Sequence, residues 1–121
     1  MLARQLLWTQ DKYLKVPLKT VAIPIFGDHI SNRIDCCEQI LLVTIANGHI
    51  SEKQIIKLTE NDADSFANLM KKLKVDVLIC NGLPDAYGYL LDKKNITIIQ
   101  WKYGPVDEIL TWFLYNYRQN Q

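Results

Sequence analysis

The stretch Ile40-Leu41-Leu42-Val43-Thr44-Ile45 is too uniformly apolar to leave a solvated face, so any fold of this chain must cover that strand on both sides. Asn47-Gly48 follows at once, a dipeptide that supplies the two positive φ angles of a tight hairpin turn, and residues 49–58 return as a more polar strand suited to a sheet edge. Upstream, residues 21–25 form a short buried strand, and Phe26-Gly27-Asp28-His29 opens a loop that runs to about Cys37.

Beyond the hairpin the pattern takes the period of a helix. Phe66, Leu69, Met70 and Leu73 recur at helical spacing behind a cap at Thr59, Asn61 or Asp62, with Lys71, Lys72 and Lys74 near the negative end. Residues 75–80 are a second buried strand, and Asn81-Gly82-Leu83-Pro84-Asp85 turns the chain into a helix carrying Ala86, Tyr87, Leu90 and Leu91. Asn95 suits the left-handed position that closes this helix, and residues 96–99 form another strand. In the last helix Pro105 takes the first position, Asp107 and Glu108 favour the positive end, and Val106, Ile109, Leu110, Phe113 and Leu114 make the buried stripe. The order βββαβαβα, a hairpin followed by right-handed crossovers, predicts an α/β fold with a five-stranded mixed sheet and helices on its faces. Placing the first strand beside the fourth brings loops 26–37 and 81–85 to one sheet edge, where open α/β sheets hold ligands.

A length of 121 residues fits one domain with a core large enough to need no disulfides. Three cysteines, two of them adjacent, are no disulfide framework and suit a reducing compartment, so a cytoplasmic location is expected. The balance of 14 Lys plus Arg against 13 Asp plus Glu, a net charge of +1, excludes a dedicated nucleic-acid or anionic-membrane binder. The apolar runs are too short to cross a bilayer. Residues 1–19 read as an extension, with Leu2, Leu6, Leu7, Trp8, Tyr13 and Leu14 able to form a short amphipathic helix ending before Val16-Pro17; the patterned domain spans residues 20–118.

Several segments, in this order and spacing, carry a resemblance: Val21-Ala22-Ile23-Pro24, Ile30-Ser31-Asn32-Arg33-Ile34-Asp35-Cys36, the apolar strand with Asn47-Gly48, residues 75–82, and Gly104-Pro105-Val106-Asp107-Glu108-Ile109-Leu110. Together they resemble the dinitrogenase iron-molybdenum cofactor biosynthesis family, the NifX-like group that includes the C-terminal domain of many NifB proteins. The resemblance covers residues 20 to 115. It implies a ribonuclease-H-like motif whose second strand runs antiparallel to the rest, and a non-enzymatic protein that binds, stores or carries an iron-sulfur or iron-molybdenum cofactor precursor. The chain departs from the family at Asn81, where a glycine is common, and lacks the His-rich tail of some members.

Soft thiolates and imidazole suit such a cargo, and His29, Cys36, Cys37 and Cys80 are the candidate metal ligands. Side chains of adjacent residues diverge, so at most one of Cys36 and Cys37 faces a given ligand, and Cys80 also reads as a small buried hydrophobe ending a central strand. Arg33 and Asp35 form a bracing ion pair or meet an anionic ligand, while Asn81, Gly82 and Gly104 would offer backbone N–H groups to it. The aromatic excess of Trp101, Tyr103, Trp112, Tyr115 and Tyr117 suits packing on the extension or on a second copy; a metallocluster or cluster-assembly protein is the expected partner. A nuclease of this fold needs carboxylates converging from the central strands, but residues 21–25 carry none and Asp76 enters its strand at the far edge. With no GxSxG, HExxH or phosphate loop either, no enzyme is expected. The competing reading is a cofactor-free interaction or regulatory module on the same fold, making its contacts through the extension and the last helix.

Overall fold

Strand β1 (Leu18–Phe26) is the axis of the sheet in the computed structural model, which describes residues 18–119. The other elements are β2 (His29–Ile30), a 3-10 turn (Ile34–Cys36), β3 (Gln39–Ala46), β4 (His49–Lys57), α1 (Ala63–Lys72), β5 (Val77–Ile79), α2 (Asp85–Lys93), β6 (Thr97–Ile99) and α3 (Val106–Gln119). The sheet runs β4-β3-β1-β5-β6, with β2 paired to β1 beside this path. β3 is antiparallel to β1 and β4, whereas β1, β5 and β6 are parallel. The sheet thus has six strands rather than five, because residues expected to be loop after Phe26 fold back as the two-residue strand β2. β1 also begins at Leu18, pairing Leu18 and Lys19 with Ala46 and Ile45, so two residues assigned to the extension belong to the sheet. The helix suggested for the start of the chain lies outside the described residues.

Alternation along β1 sorts the core into two layers. Val21, Ile23 and Ile25 point to the face covered by Val106, Leu110 and Phe113 of α3. Ala22 joins Phe66, Ala67 and Met70 of α1 and Tyr87 and Leu91 of α2 on the opposite face. Helices therefore cover both faces, as the unbroken apolar character of β3 requires. The β3–β4 turn has Asn47 at φ 54° and Gly48 at φ 78°, the left-handed pair expected of that dipeptide.

Both packed helices of the second layer stop by the same device. After α1, Lys74 takes φ 58° while its N–H reaches Lys71 O (3.0 Å) and that of Val75 reaches Met70 O (3.0 Å). After α2, Asn95 takes φ 61°, with Asn95 N to Asp92 O at 3.0 Å and Ile96 N to Leu91 O at 3.4 Å. These are Schellman closures; Asn95 is a favoured residue for one and Lys74 is not, so only the second was legible in the sequence. Pro105 stands just before α3, in a bridge with His29, rather than at its first position. Among the described residues no helix is long and apolar enough to cross a membrane.

Gly82, in the turn from β5 to α2, lies against the first loop so closely that a Cβ would stand 2.9 Å from Asn32 O and 3.1 Å from Arg33 Cγ. Gly82→Ala is expected to destabilise the fold by about 1–3 kcal/mol in urea unfolding, since backbone must move to admit the methyl group. Gly88→Ala, inside α2 with only Leu83 Cδ2 at 3.4 Å, should be neutral or stabilising by up to about 1 kcal/mol.

Cys37 and Cys80 both belong to the layer beneath α1 and α2, and burial pushes their thiols from the ordinary 9.0 up to about 11 and about 12. The folded state thus favours the protonated thiols, and their contribution is complete below pH 9.0 and lost as pH rises towards 11 and 12. Stability should fall through this alkaline window, and Cys80→Ala should make the fall shallower. An equal slope for parent and variant would contradict the burial of that thiol.

Candidate functional site

The candidate site is built by the loop from Gly27 to Cys37, which three seams fasten to the edge where β1, β5 and β6 end. The first is the β1–β2 hairpin, turned by Gly27 at φ 63° and closed on the next loop by Ile30 N to Gly104 O (3.0 Å) and Val106 N to Asp28 O (2.9 Å). The second joins the loop to the β5–α2 turn, through Gly82 N to Asn32 O (2.9 Å) and Ile34 N to Gly82 O (3.0 Å). The third is the side chain of Asn61, whose Nδ2 donates to Ile34 O at 2.8 Å and to Cys37 O at 3.1 Å.

Pro24 explains why the loop enters here. Its carbonyl accepts from Ser31 N at 2.9 Å, so its nitrogen also faces away from β3, where the missing N–H costs the β1–β3 ladder nothing. β5 pairs with β1 only at Val21 and Ala22, and β2 takes the same flank at Ile25 and Phe26. The two loops expected to share an edge do so, and the Arg33–Gly82 bridge joins them directly.

The adjacent cysteines are split by this geometry. Cys36 is exposed at the end of the 3-10 turn, whereas Cys37 is buried beside Ile34 and receives Asn61 Nδ2 at 3.7 Å from its Sγ. Cys80 is buried as well, its backbone held by Ile99 O (2.9 Å) and Lys102 N (3.0 Å). A raised thiol is a poor source of thiolate, so Cys36 is the cysteine placed to meet a ligand. It lines a cleft of about 350 Å³ with Ile25, Phe26, Gly27, Glu38, Gln39 and Lys57, where β1 and β4 end and β3 begins. Phe26, 82% exposed, forms an apolar wall, and the basic Lys57 and acidic Glu38 both line the same opening.

The charged residues of the loop are engaged with one another. Arg33 Nε and Nη2 donate to Asp35 at 2.9 and 3.0 Å, a forked pair that raises the guanidinium and lowers the carboxyl from their ordinary values. Asp28 Oδ1 lies 2.7 Å from His29 Nδ1, and that hydrogen bond lowers its carboxyl too. Both His29 and Arg33 are exposed. The Gly82 N–H, expected to face an anion, is held by Asn32 O, and the Gly104 carbonyl takes Ile30 N. Asn81 is half-buried, its carbonyl 3.4 Å from Trp101 N. Among the described residues no group of three or more His, Cys, Asp or Glu is placed to hold a metal ion, so no three of His29, Cys36, Cys37 and Cys80 converge.

Sequence reasoning missed Phe26, Glu38, Gln39 and Lys57 as cleft residues, and Asn61 and Tyr87 as supports. Lys57 pairs with Gln39 through a hairpin whose register shifts between Thr44 and Ile45, and no residue there announces a bulge. Asn61 was legible only as a cap. Asp62 takes that role, accepting Ser65 N at 2.9 Å, which leaves the Asn61 side chain to the loop.

No family model matches the chain. Over 109 residues it is 29% identical to an uncharacterised protein of Methanocaldococcus jannaschii, MJ0580, an alignment spanning 85% of this chain and 92% of that protein. A second M. jannaschii protein, MJ0327, provisionally assigned as a dinitrogenase, has a crystal structure similar to this one with a TM-score of 0.68 and 27% identity, over 80% of this chain and 88% of that one. A Thermotoga protein provisionally assigned as NifB shares the fold at a TM-score of 0.63 and 16% identity, over 78% of this chain and 86% of its own. The fold is therefore one found among proteins named as a dinitrogenase and as a NifB protein.

Proposed function

We propose that this chain is a small, non-catalytic NifX-like accessory protein that binds or carries an iron-sulfur or iron-molybdenum cofactor precursor at the edge formed by loop 27–37. The observation that carries the reading is the exposed Cys36, which lines a cleft where β1 and β4 end. A thiolate is the ligand iron and molybdenum clusters favour, and the cleft lining is otherwise balanced in charge, with Lys57 set against Glu38. His29, exposed on the same loop, is a second candidate ligand. With so few protein donors at hand, the cargo keeps most of its coordination from inorganic sulfide or from a delivering protein, as suits a ligand that is handed on. The ribonuclease-H-like assignment belongs to the same reading: the strand order and the antiparallel β3 support it. Asp76 accepts Thr20 N at 2.8 Å at the far end of the sheet, remote from the cleft, which agrees with a carrier rather than a nuclease.

A second reading, a cofactor-free interaction module, draws on Trp101, Tyr103 and Tyr115, each more than 60% exposed, beside Trp112, whose ring is covered by Lys102 Nζ at 3.9 Å. Anaerobic reconstitution with iron and sulfide separates the two. The parent should develop thiolate-to-metal absorbance in the visible, Cys36→Ser should lose most of it, and Cys37→Ser and Cys80→Ser should retain it. A colourless parent, or a band indifferent to Cys36, would remove the cluster reading and leave the aromatic flank as the functional surface.

A further inference from the structure

We infer that Asn61 is a positioning residue that selects which of the two adjacent thiols the protein presents, holding Cys36 at the cleft and Cys37 in the core. The functional meaning of this selection rests on the cleft reading above; the clamp itself rests on geometry alone.

The turn that carries the thiols is weak by itself. Its internal bonds, Cys36 N to Arg33 O at 3.2 Å and Cys37 N to Ile34 O at 3.4 Å, are long, and a single 3-10 turn seldom persists without outside support. Asn61 supplies that support at both ends, since its amide gives one hydrogen to Ile34 O and the other to Cys37 O. The amide is itself oriented. Two carbonyls facing Nδ2 can only accept, and on the other side Tyr87 Oη donates to Asn61, 2.9 Å from Oδ1 and 2.8 Å from the backbone oxygen. Tyr87 is 5% exposed and packs edge-on against Phe66 with ring centroids 5.8 Å apart. A path of rigid contacts therefore leads from the core beneath α1 and α2, through Tyr87 and Asn61, to the turn and its exposed thiol. Without the clamp, a rotation of the turn would exchange the environments of Cys36 and Cys37, because successive side chains point apart.

Asn61→Asp is the sharpest test, since it keeps the shape of the side chain but sets a carboxylate oxygen against two carbonyls. The reduced, metal-free protein is treated briefly with iodoacetamide, and labelling at Cys36, Cys37 and Cys80 is quantified by peptide fragmentation. The parent should label at Cys36. In Asn61→Asp the ratio of Cys37 to Cys36 labelling should rise on the order of tenfold while Cys80 stays protected, from the loss of two hydrogen bonds to the turn. An unchanged ratio with Cys80 protected overturns the inference. If Asn61→Asp exposes Cys80 as well, Asn61→Ala decides, because it removes both hydrogen bonds to the turn without adding a charge: a raised ratio with Cys80 protected supports the clamp, and an unchanged one overturns it. No metal enters this measurement, so a parent that takes up no cluster removes the cofactor reading without touching the clamp, and a cluster-loaded parent with an unmoved ratio removes the clamp alone.

Discussion

Between Ala22 and Ile25 strand β1 changes its neighbour, from β5 to β2, and the candidate site depends on that exchange. Pro24 stands at the changeover with no N–H to offer on that flank, so a continuous parallel ladder has nothing to gain by running further. β5 ends after Val77–Ile79, and the first loop fills the space it leaves, bonded to Pro24 O, Gly82 and Gly104 O. A loop fixed at so many backbone positions behaves as part of the sheet. Its exposed side chains are accordingly held in place by a rigid frame, the arrangement that lets a surface residue serve as a ligand.

The same frame separates structural thiols from an available one. Cys37 and Cys80 lie in one apolar layer with Phe66 and Tyr87 and are pushed far above the neutral range, whereas Cys36, one residue away from Cys37, opens on the cleft. Arg33 is occupied by Asp35 on the outer side of the loop and braces it. Lys57, arriving from the edge strand β4, lines the cleft opposite in charge to Glu38, which follows the loop directly. The cationic residue of the lining thus comes from a part of the chain far from the loop in sequence.

The architecture was legible where a single local rule decides. Asn47-Gly48 gave its turn, the apolar run of residues 40–45 its place inside the sheet, and the stripe from Val106 to Leu114 its helix, because period and turn chemistry are local properties. The shared edge of the two loops followed from handedness and strand economy. What stayed hidden needed partners distant in sequence. β2 is two residues held by pairing to Ile25 and Phe26, with no strand pattern of its own. Gly82 looked like a seat for an anion, and it is a seat for the Asn32–Arg33 backbone instead. Asn61 carried the composition of a helix cap, and its link to Ile34 and Tyr87 exists only once three elements have packed. Burial of Cys37 beside exposed Cys36 likewise depends on how one turn is rolled, which no spacing encodes.

The cargo proposed for the edge that Cys36 occupies is a metallocluster. Purification under strict anaerobiosis, followed by iron, sulfide and molybdenum analysis and a visible spectrum on one sample, tests it most directly. Metal and sulfide are expected in near-stoichiometric amount, with a charge-transfer band that disappears when Cys36 is alkylated before loading. A metal-free, colourless protein that stays so when offered iron, molybdenum and sulfide would contradict it.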